Sequence, residues 1–294
     1  MPRLIVITGP TASGKTVLSL EMAERYHVPI INADSRQIYR DLPIGTAAPT
    51  PDELARVQHF FVGTHELNQT FNAGQFETQA IDIINRLIQR LNDPCSDEVV
   101  AILSGGSMLY IHAVLNGLDD IPSVAESLRN ELRAEYKERG LKWLQEEVQR
   151  LDPDYWDVVD KQNPQRLLHC VELCRATGRT FSSMRRSKPQ KRPFDAEVTV
   201  LMPPREQLYE RINQRVLQMI ENGLIEEANR AFTKTMGDSE WSVDRLPNSL
   251  RTVGYQELIP FFRGDCSLSE SVELIRQHTR NYAKRQLTWW RNKG

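Results

Sequence analysis

The chain is short of cysteine. Its 294 residues hold four, Cys95, Cys170, Cys174 and Cys266, too few and too scattered to staple a domain of this size. Cys170 and Cys174 stand four apart beside His169, but a metal centre needs more ligands at matching spacing, so packing on a helix is the expectation. Long apolar runs are missing too. None approaches the roughly 20 residues that cross a bilayer, so no membrane partner is expected. The N-terminus runs straight into a strand without a secretory leader pattern, and a soluble cytoplasmic protein is the expectation. Charge of one sign is absent as well: Lys and Arg number 37 against 39 Asp and Glu, a formal net charge of −2. The global field therefore gives no reason for a polyanionic partner, and only local patches could supply one. Hydrophobic residues make up 40% of the chain, enough for a sizeable core and against chain-wide disorder. No internal repeat or low-complexity tract is present.

What is present begins at Gly9-Pro10-Thr11-Ala12-Ser13-Gly14-Lys15-Thr16. Four apolar residues, Leu4 to Ile7, precede it as a buried strand, and Val17, Leu18, Leu20, Met22 and Ala23 follow at helical spacing. A strand, a glycine-rich turn and a helix are the context that makes G-x-x-x-x-G-K-T a phosphate-binding loop. Gly9 and Gly14 let the backbone curl until successive N–H groups share one concavity, and the helix adds its positive end. Lys15 supplies a cation, and the Thr16 hydroxyl is the candidate ligand for Mg²⁺.

A second strand, Val28 to Ala33, ends at Asp34-Ser35-Arg36-Gln37. Ligands of open parallel sheets sit beyond the carboxyl ends of strands, which places Asp34 near the phosphate loop; a solvated carboxylate or a local cap is the other reading. Residues 40–56 are loop-rich, Val57 to Val62 suit a strand, and Phe76 to Leu91 a helix. Val99 to Leu103 is the clearest strand and opens onto Ser104-Gly105-Gly106-Ser107, with a helix from Met108. This strand has no terminal Asp, and the other acid-terminated run is interrupted by Asn32. ATPases and GTPases need such an acid for Mg²⁺, so nucleotide hydrolysis is disfavoured.

Charged helices then replace strands. Glu126 to Arg139 and Trp143 to Leu151 read as solvent-facing helices, and another opens at Asn163-Pro164-Gln165-Arg166, runs through Cys174 and is ended by Gly178. From Leu173 to Phe194 there are seven basic residues, Arg175, Arg179, Arg185, Arg186, Lys188, Lys191 and Arg192, and no acid. That run is either a solvated linker or a face for phosphates. Ala196 to Met202 returns to strand. Glu206 to Asn222 is a helix with Leu208, Ile212, Val216, Met219 and Ile220 toward the core, Arg211 and Arg215 on another face, and Gly223 as its cap. Residues 233–248 suit a loop. The last helix, Leu268 to about Arg291, carries Arg280, Lys284, Arg285 and Arg291 among Tyr282, Trp289 and Trp290, which suits a single-stranded nucleic acid or an amphipathic core face. The expected architecture is α/β: a P-loop NTPase-like parallel sheet flanked by helices, over 1–121 and 191–294, with an α-helical insertion over 122–190.

Together these segments resemble the tRNA dimethylallyltransferases, also called tRNA isopentenylpyrophosphate transferases. Gly9 to Thr16 looks like that family's phosphate loop. Ala33-Asp34-Ser35-Arg36-Gln37-Ile38-Tyr39 with Ile44-Gly45-Thr46-Ala47 resembles its second motif, and Gly105-Gly106-Ser107-Met108-Leu109-Tyr110 its Gly-Gly-Thr turn. Arg211 to Arg215 with Met219 and Gly223-Leu224, then Val253-Gly254-Tyr255, then Ala283-Lys284-Arg285-Gln286-Leu287-Thr288-Trp289, complete the match over nearly the whole chain. Departures are Gln58 to Val62 in place of His-His-Leu-Ile-Asp, Ala48 in place of Lys, and Ser107 in place of Thr.

The resemblance implies transfer of a dimethylallyl group from dimethylallyl diphosphate to the N6 amine of the adenosine just 3′ of the anticodon, tRNA position 37, with Mg²⁺. It assigns Asp34, Ser107 and Arg215 to catalysis and Gly9, Pro10, Thr11, Ala12, Ser13, Gly14, Lys15 and Thr16 to the diphosphate. It assigns the anticodon stem-loop to Asp34, Ser35, Arg36, Gln37, Ser107, Arg129, Gln165, Arg166, Arg251, Lys284, Arg285 and Gln286, in a monomer. The alternatives are an adenylate isopentenyltransferase acting on free nucleotide, a P-loop kinase of a small metabolite, and a non-enzymatic RNA-binding protein, which would have no use for Lys15.

Overall fold

Leu4, Ile5, Val6 and Ile7, apolar and almost fully buried, form the middle of strand β1 (Arg3–Thr8). A strand covered on both faces reads as a continuous apolar run, and β4 (Val99–Gly105) is buried at every position for the same reason. The computed structural model describes residues 1–293 apart from 92, 94–96, 120, 186–188 and 238–240. Cys95, Arg186 and Lys188 therefore lie outside the described residues. With β2 (Ile30–Asn32), β3 (His59–Phe60) and β5 (Asp195–Val200), the strands make one five-stranded parallel sheet in the order β3-β2-β4-β1-β5. Register aligns the carboxyl ends: Thr8 lies opposite Gly105 and Val200, and Asn32 opposite Ser104. The loops after β1, β2, β4 and β5 consequently emerge at one edge.

The chain separates into two compact units, Met1–Asn116 with Lys191–Gly294, and Gly117–Gln190. In the first, helices cover the sheet. Leu20 and Ala23 of helix Lys15–Tyr26 pack with Ile5, Ile7, Ile30 and Ile102. Leu208 and Ile212 of helix Arg205–Glu221 pack with Ala12 and with Ala283 of the terminal helix Leu268–Lys293. Leu208 and Ile212 are fully buried, so truncating either to alanine costs about 2–5 kcal/mol.

The expected β3 over 57–62 is cut to two residues because Phe61 turns into the left-handed region, φ 64°, to bury its ring between Phe71 and Phe76. Helix Leu224–Met236 occupies the start of the stretch expected to be loop, and Gly223, φ 97°, is its N-cap.

The second unit is helical. Residues 126–151 are two helices, as expected, joined across a kink at Gly140, whose φ of 76° and ψ of −174° are not helical. They are not wholly solvent-facing. Leu132, Trp143, Leu144 and Val148 pack with Leu167, Cys170, Val171 and Cys174 of helix Pro164–Thr177, which Asn163 caps and Gly178 ends. Asp152, Cys170 and Cys174 are the one group among the described residues close enough to hold a metal. The Asp152 carboxylate accepts from Tyr155 N–H, Ser182 N–H and Ser182 O–H, and burial pushes the Cys170 thiol up. The cluster is a helix cap beside protonated thiols. Arg175 bonds Glu135 and Glu147, and Arg192, in the first unit, bonds Glu77 and the Ala113 carbonyl. Two charges of the basic run are thus spent internally; Arg179, Arg185 and Lys191 make no side-chain pairing among the described residues.

Candidate active site at the sheet edge

The loop after β1 curls as the glycines allow. Gly9 (φ 148°) has no room for a side chain, since a Cβ there would stand 2.5 Å from the Leu201 carbonyl oxygen. Gly14 (φ 94°) caps the helix start, and Ala12 is held at φ 62° between them. Lys15 folds over its own loop, donating from Nζ to the Gly9 and Pro10 carbonyls at 3.0 and 2.7 Å. Desolvation pulls its ammonium down to about 8, with Asp34 opposing and Arg215 adding. Among the described residues, Ser13 Oγ is buried without a partner and the Thr16 hydroxyl makes no hydrogen bond. An oxyanion entering the loop would offer acceptors to both.

Asp34 follows β2 by two residues. Its Oδ1 accepts from the N–H groups of Arg36 (2.9 Å) and Gln37 (3.4 Å), so the local cap is real. That leaves Oδ2, which accepts no hydrogen bond among the described residues and lies toward the Gly106 turn; Asp34 lines the same cavity as Lys15, Thr16 and Arg215. One carboxylate thus fills both readings of the sequence. Gly105 permits the approach, because a Cβ there would collide with the Ala33 carbonyl. Arg215 reaches Thr11 Oγ1 at 3.5 Å, and desolvation lowers its affinity for its proton.

The cavity, about 390 Å³, is also lined by Ser35, Arg36, Gln37, Arg251, Tyr282, Arg285 and Gln286. Burial, reinforced by Asp34, pushes the Tyr282 phenol up, so it stays a donor. A second cavity, about 470 Å³, is lined by Ala12 to Val17 and shares Lys15, Thr16, Ala47, Arg215 and Met219 with the first.

Three assigned residues are placed differently from expectation. Ser107 is not in the cavity wall. Its hydroxyl accepts from Ser35 N–H (2.9 Å) and donates to Ser35 Oγ (3.1 Å), so it latches the Asp34 loop. Gln286 is 1% exposed, and its amide is used internally, accepting from Thr11 N–H at 3.0 Å and donating to the Gly106 carbonyl at 2.8 Å. Arg251 lines the cavity but donates to the Leu246 and Asp244 carbonyls at 2.9 and 2.8 Å. Arg36 donates to the Asn248 carbonyl, and Gln37 to those of Thr46 and Ala47. Lys284 and Arg285 are exposed, Arg285 over the Tyr282 ring, whereas Trp290 belongs to the core. In the helical unit, Gln165 and Arg166 stand exposed in the first turn of helix Pro164–Thr177. Arg129 faces Glu126 and the buried Glu172 at 3.9 and 3.8 Å.

Glu227 escaped sequence reasoning. It is 2% exposed and bonds Ile44 N–H, Gly45 N–H and the Tyr255 hydroxyl. The signal was available: it shares a helix face with Leu224, Ala228 and Ala231, an acid at an apolar position.

The chain is similar to known proteins along nearly its whole length. The IPP transferase family model matches residues 37–293. The tRNA dimethylallyltransferase 1 of Bacteroides thetaiotaomicron is 43% identical over 291 residues, covering 99% of this chain and 89% of the relative. The tRNA dimethylallyltransferase 2 of Porphyromonas gingivalis is 44% identical over 288 residues, covering 98% and 90%. Among solved structures, the tRNA isopentenylpyrophosphate transferase of Bacillus halodurans superposes with a TM-score of 0.67 at 31% identity, covering 99% of this chain and 88% of that one. A eukaryotic dimethylallyltransferase acting on tRNA shares the fold, with a TM-score of 0.81 at 23% identity over 98% and 70%. The phosphate loop, the Asp34 turn and these matches along nearly its full length lead to one conclusion: the chain belongs to the IPP transferase family.

Proposed function

We propose that the protein transfers a dimethylallyl group from dimethylallyl diphosphate to the N6 amine of the adenosine at tRNA position 37, releasing diphosphate. The observation that carries this reading is the unengaged Oδ2 of Asp34 in one cavity with Lys15 and Arg215. Lys15, Arg215 and the loop N–H groups hold the diphosphate and offset the charge that builds on it as the C1–O bond breaks. Asp34 accepts a hydrogen bond from the N6 amine, whose lone pair is delocalised into the ring. It takes the proton as the N6–C1 bond forms. Ser107 acts here through Ser35, as a positioning residue.

The Thr16 hydroxyl, in the same cavity, is a hard oxygen donor of the kind that suits Mg²⁺. Bound there, Mg²⁺ would add positive charge at the leaving diphosphate. The target adenine must leave its stack to enter the cavity. We place the anticodon arm against Arg129, Gln165, Arg166, Lys284 and Arg285, in a cytoplasmic monomer.

A kinase of a small metabolite fits less well, since β4, next to β1, ends in Ser104-Gly105-Gly106 and offers no metal acid. The test presents radiolabelled dimethylallyl diphosphate separately to unmodified tRNA, AMP and ADP. Label in tRNA is expected; label in AMP or ADP alone would make the protein an adenylate isopentenyltransferase.

A further inference from the structure

Residues 43–48 form a wall between the two cavities. Gly45, Thr46 and Ala47 line the first; Pro43, Ile44, Ala47 and Ala48 line the second. This loop is gripped from both sides. Glu227 accepts the Ile44 N–H on Oε2 and the Gly45 N–H on Oε1, each at 2.9 Å, while the Tyr255 hydroxyl donates to Oε1 at 2.6 Å. From the other side, Gln37 Nε2 donates to the Thr46 and Ala47 carbonyls at 3.1 and 2.8 Å. Gly45 presses so closely on the Tyr255 ring that a Cβ would stand 2.5 Å from it. Among the described residues Glu227 has no cationic partner. A buried carboxylate without a cation is expensive, and here all its observed bonds serve the loop and the ring beneath it.

We propose that Glu227 is a positioning residue that holds this loop as a partition between the reaction cavity, where Asp34 faces Lys15 and Arg215, and the second cavity, and thereby keeps water from the allyl carbon. The inference rests on the transferase reading above. When the partition loosens, water attacks C1. A C1–O bond to water forms, the C1–O bond to diphosphate breaks with its electron pair leaving on diphosphate, and the water proton passes to solvent. The product is dimethylallyl alcohol in place of modified tRNA.

The experiment counts labelled alcohol formed per labelled tRNA in the wild type, in Glu227→Gln and in Gly45→Ala. Glutamine turns one acceptor into a donor facing an N–H. Alanine displaces the loop from Tyr255 with Glu227 untouched, and it serves even where Glu227→Gln does not fold. The ratio is expected to rise by at least about threefold in each folded variant. A residue that only stabilises the fold would lower both products together and leave the ratio at the wild-type value. An unchanged ratio in either folded variant overturns the proposal. Wild-type protein that labels no tRNA overturns the transferase reading instead.

Discussion

Gln286, on the terminal helix, accepts the N–H of Thr11, in the phosphate loop, at 3.0 Å across 275 residues of sequence. The same amide donates to the Gly106 carbonyl at 2.8 Å. One side chain therefore ties together the two glycine turns that border the cavity.

Gln286→Met keeps the volume and removes both bonds. It leaves a loop N–H without its partner, which costs about 1–3 kcal/mol. The expected outcome is a lower melting temperature together with a raised KM for dimethylallyl diphosphate. Thermal melts and donor titrations check it; an unchanged donor KM beside a specific loss of tRNA affinity would return Gln286 to the role of a tRNA contact.

Lys15 gives a pH signature. Its ammonium, pulled down to about 8, is charged below that pH and neutral above it. Donor capture by the free protein should therefore fall as pH rises through 8, while bound diphosphate pulls the proton affinity back up. The sign is that donor binding takes up a proton above pH 8. The pH profile of kcat/KM for the donor should lose this alkaline limb in Lys15→Ala, with turnover much reduced and the fold intact. Near-normal activity in that variant would remove Lys15 from the cradle.

The basic run can be tested without its internally paired members. Replacing Arg179, Arg185 and Lys191 with neutral residues should weaken tRNA binding and flatten the dependence of log K on log salt, by about 0.7 per lost phosphate contact on a single strand. Equal slopes for variant and wild type would mean these side chains are merely solvated.

Much of the site was legible because it is local. The phosphate loop is contiguous, and the rule that ligands gather beyond strand ends puts Asp34 beside it, in the cavity it shares with Lys15. Other parts depend on long-range contacts. Neither the Gln286–Thr11 bond nor the Glu227 grip on Ile44 and Gly45 has a local spacing that announces it. Ser107 looked like a hydroxyl for substrate because its turn was visible, while its partner, Ser35, lies 72 residues away. In the basic run, composition showed seven cations but not that Arg175 faces Glu135 and Glu147, because the acids come from another helix. Strand β3 ended early because tertiary packing of Phe61 overrode its extended preference.

The account turns on Asp34 as the base, and Asp34→Asn tests it most directly. Asparagine keeps the shape and one acceptor oxygen but cannot take the proton. Single-turnover rates and both substrate affinities should be measured across a magnesium series. The expected result is a rate lower by about 10²- to 10⁴-fold, with affinities for tRNA and dimethylallyl diphosphate changed by less than about tenfold and no rescue by magnesium. A weakened donor affinity that added Mg²⁺ restores, with the rate recovering alongside, would contradict it and make Asp34 a metal-holding acid.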